Sequence, residues 1–149
     1  MKRGRTPFTA KLKPEMQPQV VDDPKGRGPL LLPTPLLVAA EIAKIARGKV
    51  ITASELRARL ASAFAAKLAC PLMTGIFFNL VAGAAEEQLE AGQKPLAPYW
   101  RVVMDKGILS PKTPFGPERQ ALRLRAEGRE VEEQRGKWRL TEFPASSSR

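Results

Sequence analysis

The sequence predicts a mainly α fold with short β elements, arranged as a helix-turn-helix followed by a small wing. Three observations carry this reading. Two amphipathic stretches, one running through Glu55, Leu56, Leu60 and Phe64 and one from about 72 to 90, are separated only by the short turn Lys67-Leu68-Ala69-Cys70-Pro71. A connector containing Gly92 and Pro95 then leads into Pro98-Tyr99-Trp100-Arg101-Val102-Val103, where two large aromatics and an arginine precede a β-branched run. Further on, Val131 and Trp138 flank an Arg135-Gly136 turn, the spacing of a short hairpin.

At 149 residues, 43% of them apolar, the chain suits one domain of ordinary size with a modest core. The most apolar segment, 30–45, is broken by Pro33, Pro35 and Glu41, and no run has transmembrane length. A cytoplasmic, nucleoid-associated protein with no membrane partner and no small-molecule substrate is therefore expected. Lys and Arg outnumber Asp and Glu 25 to 15, for a net charge of +10 and a pI near 10.3. That balance favours a polyanionic partner: DNA, RNA, or less readily an anionic membrane. The absence of histidine excludes Ser-His-Asp and Cys-His catalysis, and the single cysteine excludes an intramolecular disulfide and a Cys-only metal cage. No metal or cofactor is expected.

Residues 1–33 read as a disordered, basic, Pro-rich arm. Half of the 14 prolines fall at or before Pro35, with Lys2, Arg3, Arg5, Lys11, Lys13, Lys25 and Arg27 between them. Proline at this density opposes both helix and ladder hydrogen bonds. Such an arm either adds phosphate contacts or is a solvated tail. The folded domain is expected over 34–142, with Thr34 as N-cap, Pro35 at the first helical position and a helix ending at Arg47-Gly48. Lys49–Thr52 is a short β-like lead into the next helix, which Thr52 or Ser54 caps. The second helix of the pair starts at Leu72 or Thr74 and runs to Glu90. Its small residues (Ala82, Gly83, Ala84, Ala85) allow close approach to a duplex or to another helix. Residues 101–104 read as a strand, Asp105-Lys106-Gly107 as a turn with Ile108-Leu109 as its return, and 118–127 as a helix stopped by Gly128. Residues 130–140 form the wing, and 143–149 a disordered tail.

Taken with its flanks, the central stretch resembles the O6-alkylguanine-DNA alkyltransferases. That family carries Pro-Cys-His-Arg-Val, a Gly-containing turn, a helix and a Leu-x-x-Glu-Gly end; here the corresponding residues are Pro98–Val103, Asp105-Lys106-Gly107, Gly116 through Leu124, Glu127 and Gly128. Tyr99 takes the place of the nucleophilic cysteine and Trp100 that of the activating histidine. This is the pattern of the alkyltransferase-like proteins, which keep the DNA-binding half of the fold without accepting an alkyl group. The run Cys70-Pro71-Leu72-Met73-Thr74-Gly75-Ile76-Phe77 is similar to a bacterial branch with the same type of DNA-binding domain. The resemblance covers residues 35–140 and implies a winged helix-turn-helix of the alkyltransferase C-terminal type. Two departures stand out: Ala53 aligns with the tyrosine that helps rotate the target nucleotide, and Gly75 with the arginine that fills the hole it leaves.

The resemblance implies a vestigial base pocket at Tyr99, Trp100 and Arg101, with Arg101 mainly supporting the loop and Glu127 retained as a helix-end acceptor. Double-stranded DNA is the expected partner, with nucleotide excision repair proteins reading any flagged alkylguanine. Lys49, Arg57, Lys106, Lys112 and Arg119 are the candidates for phosphate contact, and the helix starts and second helix add Thr52, Ser54, Thr74, Gly75 and Asn79. The alternatives are a DNA-binding module without lesion preference and a protein-interaction module on the same fold. Cys70, flanked by Leu68, Ala69 and Leu72 with no histidine to activate it, reads as structural rather than as an alkyl acceptor.

Overall fold

The computed structural model describes residues 6–142. The termini on which parts of the arm and tail expectations fall lie outside that range. Within it the chain runs β1 (Gln19–Asp22), β2 (Pro29–Leu32), α1 (Pro35–Ala43), β3 (Ile51–Thr52), α2 (Ala53–Ala63), β4 (Leu68–Ala69), α3 (Pro71–Glu90), β5 (Val102–Val103), α4 (Gly116–Ala126), β6 (Val131–Gln134) and β7 (Lys137–Leu140). One-turn 3₁₀ helices form at Phe8–Lys11, Tyr99–Arg101 and Asp105–Gly107. The mainly α architecture with short β elements, a helix-turn-helix (α2–β4–α3) and a wing (β6–β7), is the one the sequence predicts.

Helices α1 and α2 start where the sequence places their caps. The Thr34 side chain accepts a hydrogen bond from Leu37 N, and Pro35 occupies the first helical position. Thr52 rather than Ser54 caps α2. Its Oγ1 accepts from Glu55 N, and the Glu55 carboxylate accepts from Thr52 N, a reciprocal capping box. Helix α3 starts earlier than expected, at Pro71, with Cys70 as an N-cap that lends no side-chain hydrogen bond.

The segment expected to be disordered is ordered from residue 6. β1 and β2 form an antiparallel hairpin, and β2 pairs in parallel with β4, so Leu30 faces Leu68 and Leu31 faces Ala69. The turn between α2 and α3 is thus the third strand of a sheet whose other two strands come from the N-terminal segment. The prolines do not obstruct this. Pro24 lies in the hairpin loop, Pro29 is the first residue of its strand, and Pro33 and Pro35 flank a helix start, positions where an amide N–H is not needed. Leu31 is fully buried, and Cys70 N donates to its carbonyl. Asp23 closes the hairpin by accepting from the Lys25 and Arg27 amides and from the Arg27 guanidinium.

A second difference concerns β5. The expected return strand at Ile108-Leu109 does not run beside it; β5 pairs in parallel with β3, Ile51 opposite Val102. The Met104 amide still bonds Ile108 O across the turn, but Leu109 N donates to Trp138 O and Ile108 bridges Arg139, tying this loop to the wing.

Two clusters make up the core. One gathers Leu31, Val38, Ile42, Ile51, Leu56, Leu60 and Val81 where α1, α2 and the sheet meet α3. The other gathers Val50, Ala82, Ala85, Tyr99, Trp100, Val103, Leu109, Ala121 and Leu124 between α3, α4 and the wing. Phe78 packs against both. The small residues of α3 therefore serve protein packing: Ala82, Ala84 and Ala85 are buried, and Gly83 receives the Phe8 ring.

Candidate nucleic-acid interface

Tyr99 and Trp100 follow from their partners. Tyr99 is 1% exposed, its hydroxyl donating to Glu86 Oε2 at 2.8 Å and its ring set edge-on to Phe78 and Trp100. Trp100 is also buried, and its Nε1 donates to Glu127 Oε2 at 2.9 Å. An aromatic with one polar tip can enter a core when an acceptor waits for that tip, and here each tip meets a carboxylate. Arg101 forks onto Glu127 at 2.7 Å and donates to Ile45 O at 2.6 Å, joining the 98–103 stretch to the end of α4 and to the turn after α1. Tyr99, Trp100 and Arg101, the expected base pocket, are thus turned inward onto Glu86 and Glu127, and none of the three lines the cavity walled by Phe78.

Each carboxylate is held ionised. Burial pushes Glu86 up, but hydrogen bonds from Arg123 (2.6 Å), Tyr99 and Arg119 (2.9 Å) outweigh it and leave the group below its ordinary value. The same opposition acts at Glu127, where Arg101, Trp100 and the Gly48 amide overcome burial and lower it. Burial, reinforced by the Glu86 charge, pushes the Tyr99 phenol far up, so it remains a donor.

The cavity is walled in part by Phe78, whose ring also packs edge-on against Tyr99. It has a volume of about 160 Å³ and is walled by Ala53, Leu56, Pro71, Phe78, Val102, Val103 and Met104, with Arg57, Thr74, Gly75, Ser110 and Gln120 completing it. The volume matches that of an engineered apolar cavity that admits a single benzene-sized ring. Gln120 Nε2 is committed to Val102 O and Trp100 O. Thr74 differs: it is buried, and its Oγ1 is the one buried side-chain polar atom among the described residues with no hydrogen-bond partner. A hydroxyl so placed is costly unless something else supplies the partner.

Of the predicted contact residues, the structure gathers several at the mouth of this cavity. Arg57 and Gly75 line it with Thr74. Arg57 donates to Ser54 Oγ, which donates to Asp105, so the start of α2 is tied to the 3₁₀ turn carrying exposed Lys106. Lys112 is exposed in the loop that brings Ser110 to the wall, its amide bonded to Ser110 Oγ. Asn79 is half-buried one turn further along α3, and exposed Lys49 lies by the Gly48–Glu127 contact at the other end of the lead into β3. Two candidates are otherwise engaged. The Thr52 hydroxyl serves the capping box, and Arg119 pairs with Glu86 and stacks on Phe115. Met104 and Ser110 were missed as wall residues, because nothing in their local pattern distinguishes them from ordinary loop positions. Leu56 and Phe78 were legible only as core.

Two solved structures match this fold. S. pombe Atl1 in complex with damaged DNA containing O6-carboxymethylguanine aligns at a TM-score of 0.57 and 21% identity, covering 77% of this chain and 94% of that one. A second S. pombe ATL structure in complex with DNA aligns at 0.54 and 20% identity, covering 75% and 91%. No protein-family model matches the chain, and no curated protein matches it. The likeness is one of fold.

Proposed function

We propose that this protein is a non-catalytic duplex-DNA-binding protein of the alkyltransferase-like type, whose cavity takes the alkylated edge of an O6-alkylguanine. The observation that carries this is the apolar cavity lined by Arg57 and Thr74, with exposed Lys106 and Lys112 on loops tied to its lining residues through Ser54–Asp105 and Ser110. Apolar walls suit an alkyl substituent, and a rotation of the buried, unpartnered Thr74 hydroxyl towards it would add one polar contact to fix its orientation. The net charge of +10 supports phosphate binding. The fold neighbours, solved on DNA and in one case on damaged DNA, support the same reading. No thiol lines the cavity, and Glu86 and Glu127 are locked in ion pairs outside it, so the wall offers no nucleophile with a base to activate it. A lesion held but not repaired would then be passed to excision-repair proteins.

A second reading, DNA binding without lesion preference, draws on Ala53 and Gly75. Both line the cavity where the resembling family has side chains that turn a nucleotide out of the helix. Fluorescence anisotropy on matched duplexes containing O6-methylguanine or guanine, at two salt concentrations, separates the readings. A tenfold preference for the lesion, about 1.4 kcal/mol, supports the first. Equal affinities that fall steeply with salt support the second, and no binding at low salt removes both.

A further inference from the structure

We infer that residues 6–16 form a basic arm, clasped to the face of α3 opposite the cavity, that takes the phosphate backbone of duplex DNA on a second flank; the inference rests on the DNA-binding reading above. The clasp is specific. The Phe8 and Thr9 amides donate to the two oxygens of Glu87 at 2.7 and 3.0 Å, and the Phe8 ring occupies the notch over Gly83. A Cβ at Gly83 would lie 2.4 Å from Phe8 Cγ, so the notch exists only because that residue is glycine. Lys11 Nζ sits over the same ring at 5.2 Å, and Lys11 and Lys13 edge a hollow of about 400 Å³ against Ile76 and Leu80.

Helical spacing sets the geometry. Ile76, Leu80, Gly83 and Glu87 share one face of α3, while Pro71, Thr74, Gly75 and Phe78 share the face that walls the cavity. The exposed strip of the first turns, Leu72 at 71% and Ile76 at 50% exposure, continues the arm's own face towards the helix start, with exposed Pro71 and Gly75 beside it on the cavity side. An apolar ridge with Arg57 on one side and lysines on the other suits a duplex lying along the ridge with its two phosphate strands gripped on either flank. Neither lysine has an acidic partner among the described residues, so both charges are available to phosphate.

The test is the salt dependence of affinity for an unmodified duplex, using the full chain. Lys11→Ala/Lys13→Ala should bind at least tenfold more weakly at low salt. Its plot of log affinity against log salt should be shallower by about 1.8, two phosphates at about 0.9 each. Gly83→Ala leaves every charge in place and substitutes a better helix former, yet expels the Phe8 ring, and should shift the slope the same way. Near-ultraviolet circular dichroism unchanged from wild type establishes that each variant is folded. Wild-type binding with an unaltered slope in the double lysine variant overturns the arm while leaving the DNA reading intact. A normal slope in Gly83→Ala overturns the clasp and with it the proposal. No wild-type binding overturns both.

Discussion

Replacing Thr74 by Val should stabilise the free protein and weaken its hold on the ligand. The two side chains are close in shape and in helix propensity, so the substitution changes polarity more than packing. In the folded chain the Thr74 Oγ1 is buried without a partner, a condition that costs about 1–3 kcal/mol against the hydrated unfolded state. Val does not incur that cost. At about 2.1 cal/mol/K of unfolding entropy per residue, a chain of 149 residues gains about 3 °C in Tm per kcal/mol, so Thr74→Val should melt about 3 °C or more above wild type. If the hydroxyl is the polar contact for a base edge, the same variant loses one neutral hydrogen bond in the complex. That is worth about 0.5–1.5 kcal/mol, a two- to tenfold fall in affinity for the O6-methylguanine duplex with unmodified duplex unaffected. Calorimetry and anisotropy on one preparation read both effects. A Tm below wild type refutes the reasoning, because it means the hydroxyl is already satisfied in the free protein. A raised Tm with unchanged lesion affinity removes Thr74 from the site.

Two further outcomes follow from the buried network and a third from the N-terminal hairpin. Tyr99→Phe removes a hydrogen bond to an ionised acceptor and should lower stability by about 1.5–3 kcal/mol while leaving duplex affinity and lesion preference as in wild type; selective loss of lesion preference at unchanged Tm would return Tyr99 to the pocket. Glu86→Gln leaves Arg119 and Arg123 facing a neutral amide. It should cost about 3 kcal/mol in denaturant unfolding, the low end for a broken buried pair because both guanidiniums reach solvent; a cost under about 1 kcal/mol would mean the pair is screened. Asp23, held at about 2 against an ordinary 3.8 chiefly by the Arg27 side chain, contributes stability that is present above the ordinary value and lost as pH falls through about 2. The Tm gap between wild type and Asp23→Asn should be widest above about pH 5 and close towards pH 2, and a gap that widens in acid contradicts the pairing.

The helices were legible because each carries its own local signals: Thr34-Pro35, the Thr52 and Glu55 capping box, and the apolar period of α2. The wing was legible for the same reason, its turn and flanking residues being contiguous. The N-terminal sheet was not. Its pairing depends on Leu30 and Leu31 finding Leu68 and Ala69 nearly forty positions later, and a two-residue strand has no period of its own. The candidate site was half legible for a related reason. Arg57, Thr74 and Gly75 announce themselves as helix-turn-helix positions, but whether an aromatic stacks in a pocket or packs in a core is decided by a distant partner. Tyr99 and Trp100 turn inward because Glu86 and Glu127 stand 13 and 27 residues away, and nothing in Pro98–Val103 contains that information.

The same two carboxylates bear on how binding should respond to pH. Tyr99 and Trp100 supply a phenol and an indole, each donating a proton it does not release. The acids that receive those bonds are shifted downward, and the phenol is shifted upward, so all stay in one protonation state through the neutral range. With no histidine in the chain, no imidazole charge changes there either. Duplex affinity should therefore be constant within about twofold between pH 5.5 and 7.5 at fixed ionic strength, while falling steeply with added salt. A sigmoidal change across that window would place a titrating group at the interface. It would also remove the argument that the cavity grips its ligand by shape, one hydroxyl and permanent positive charge.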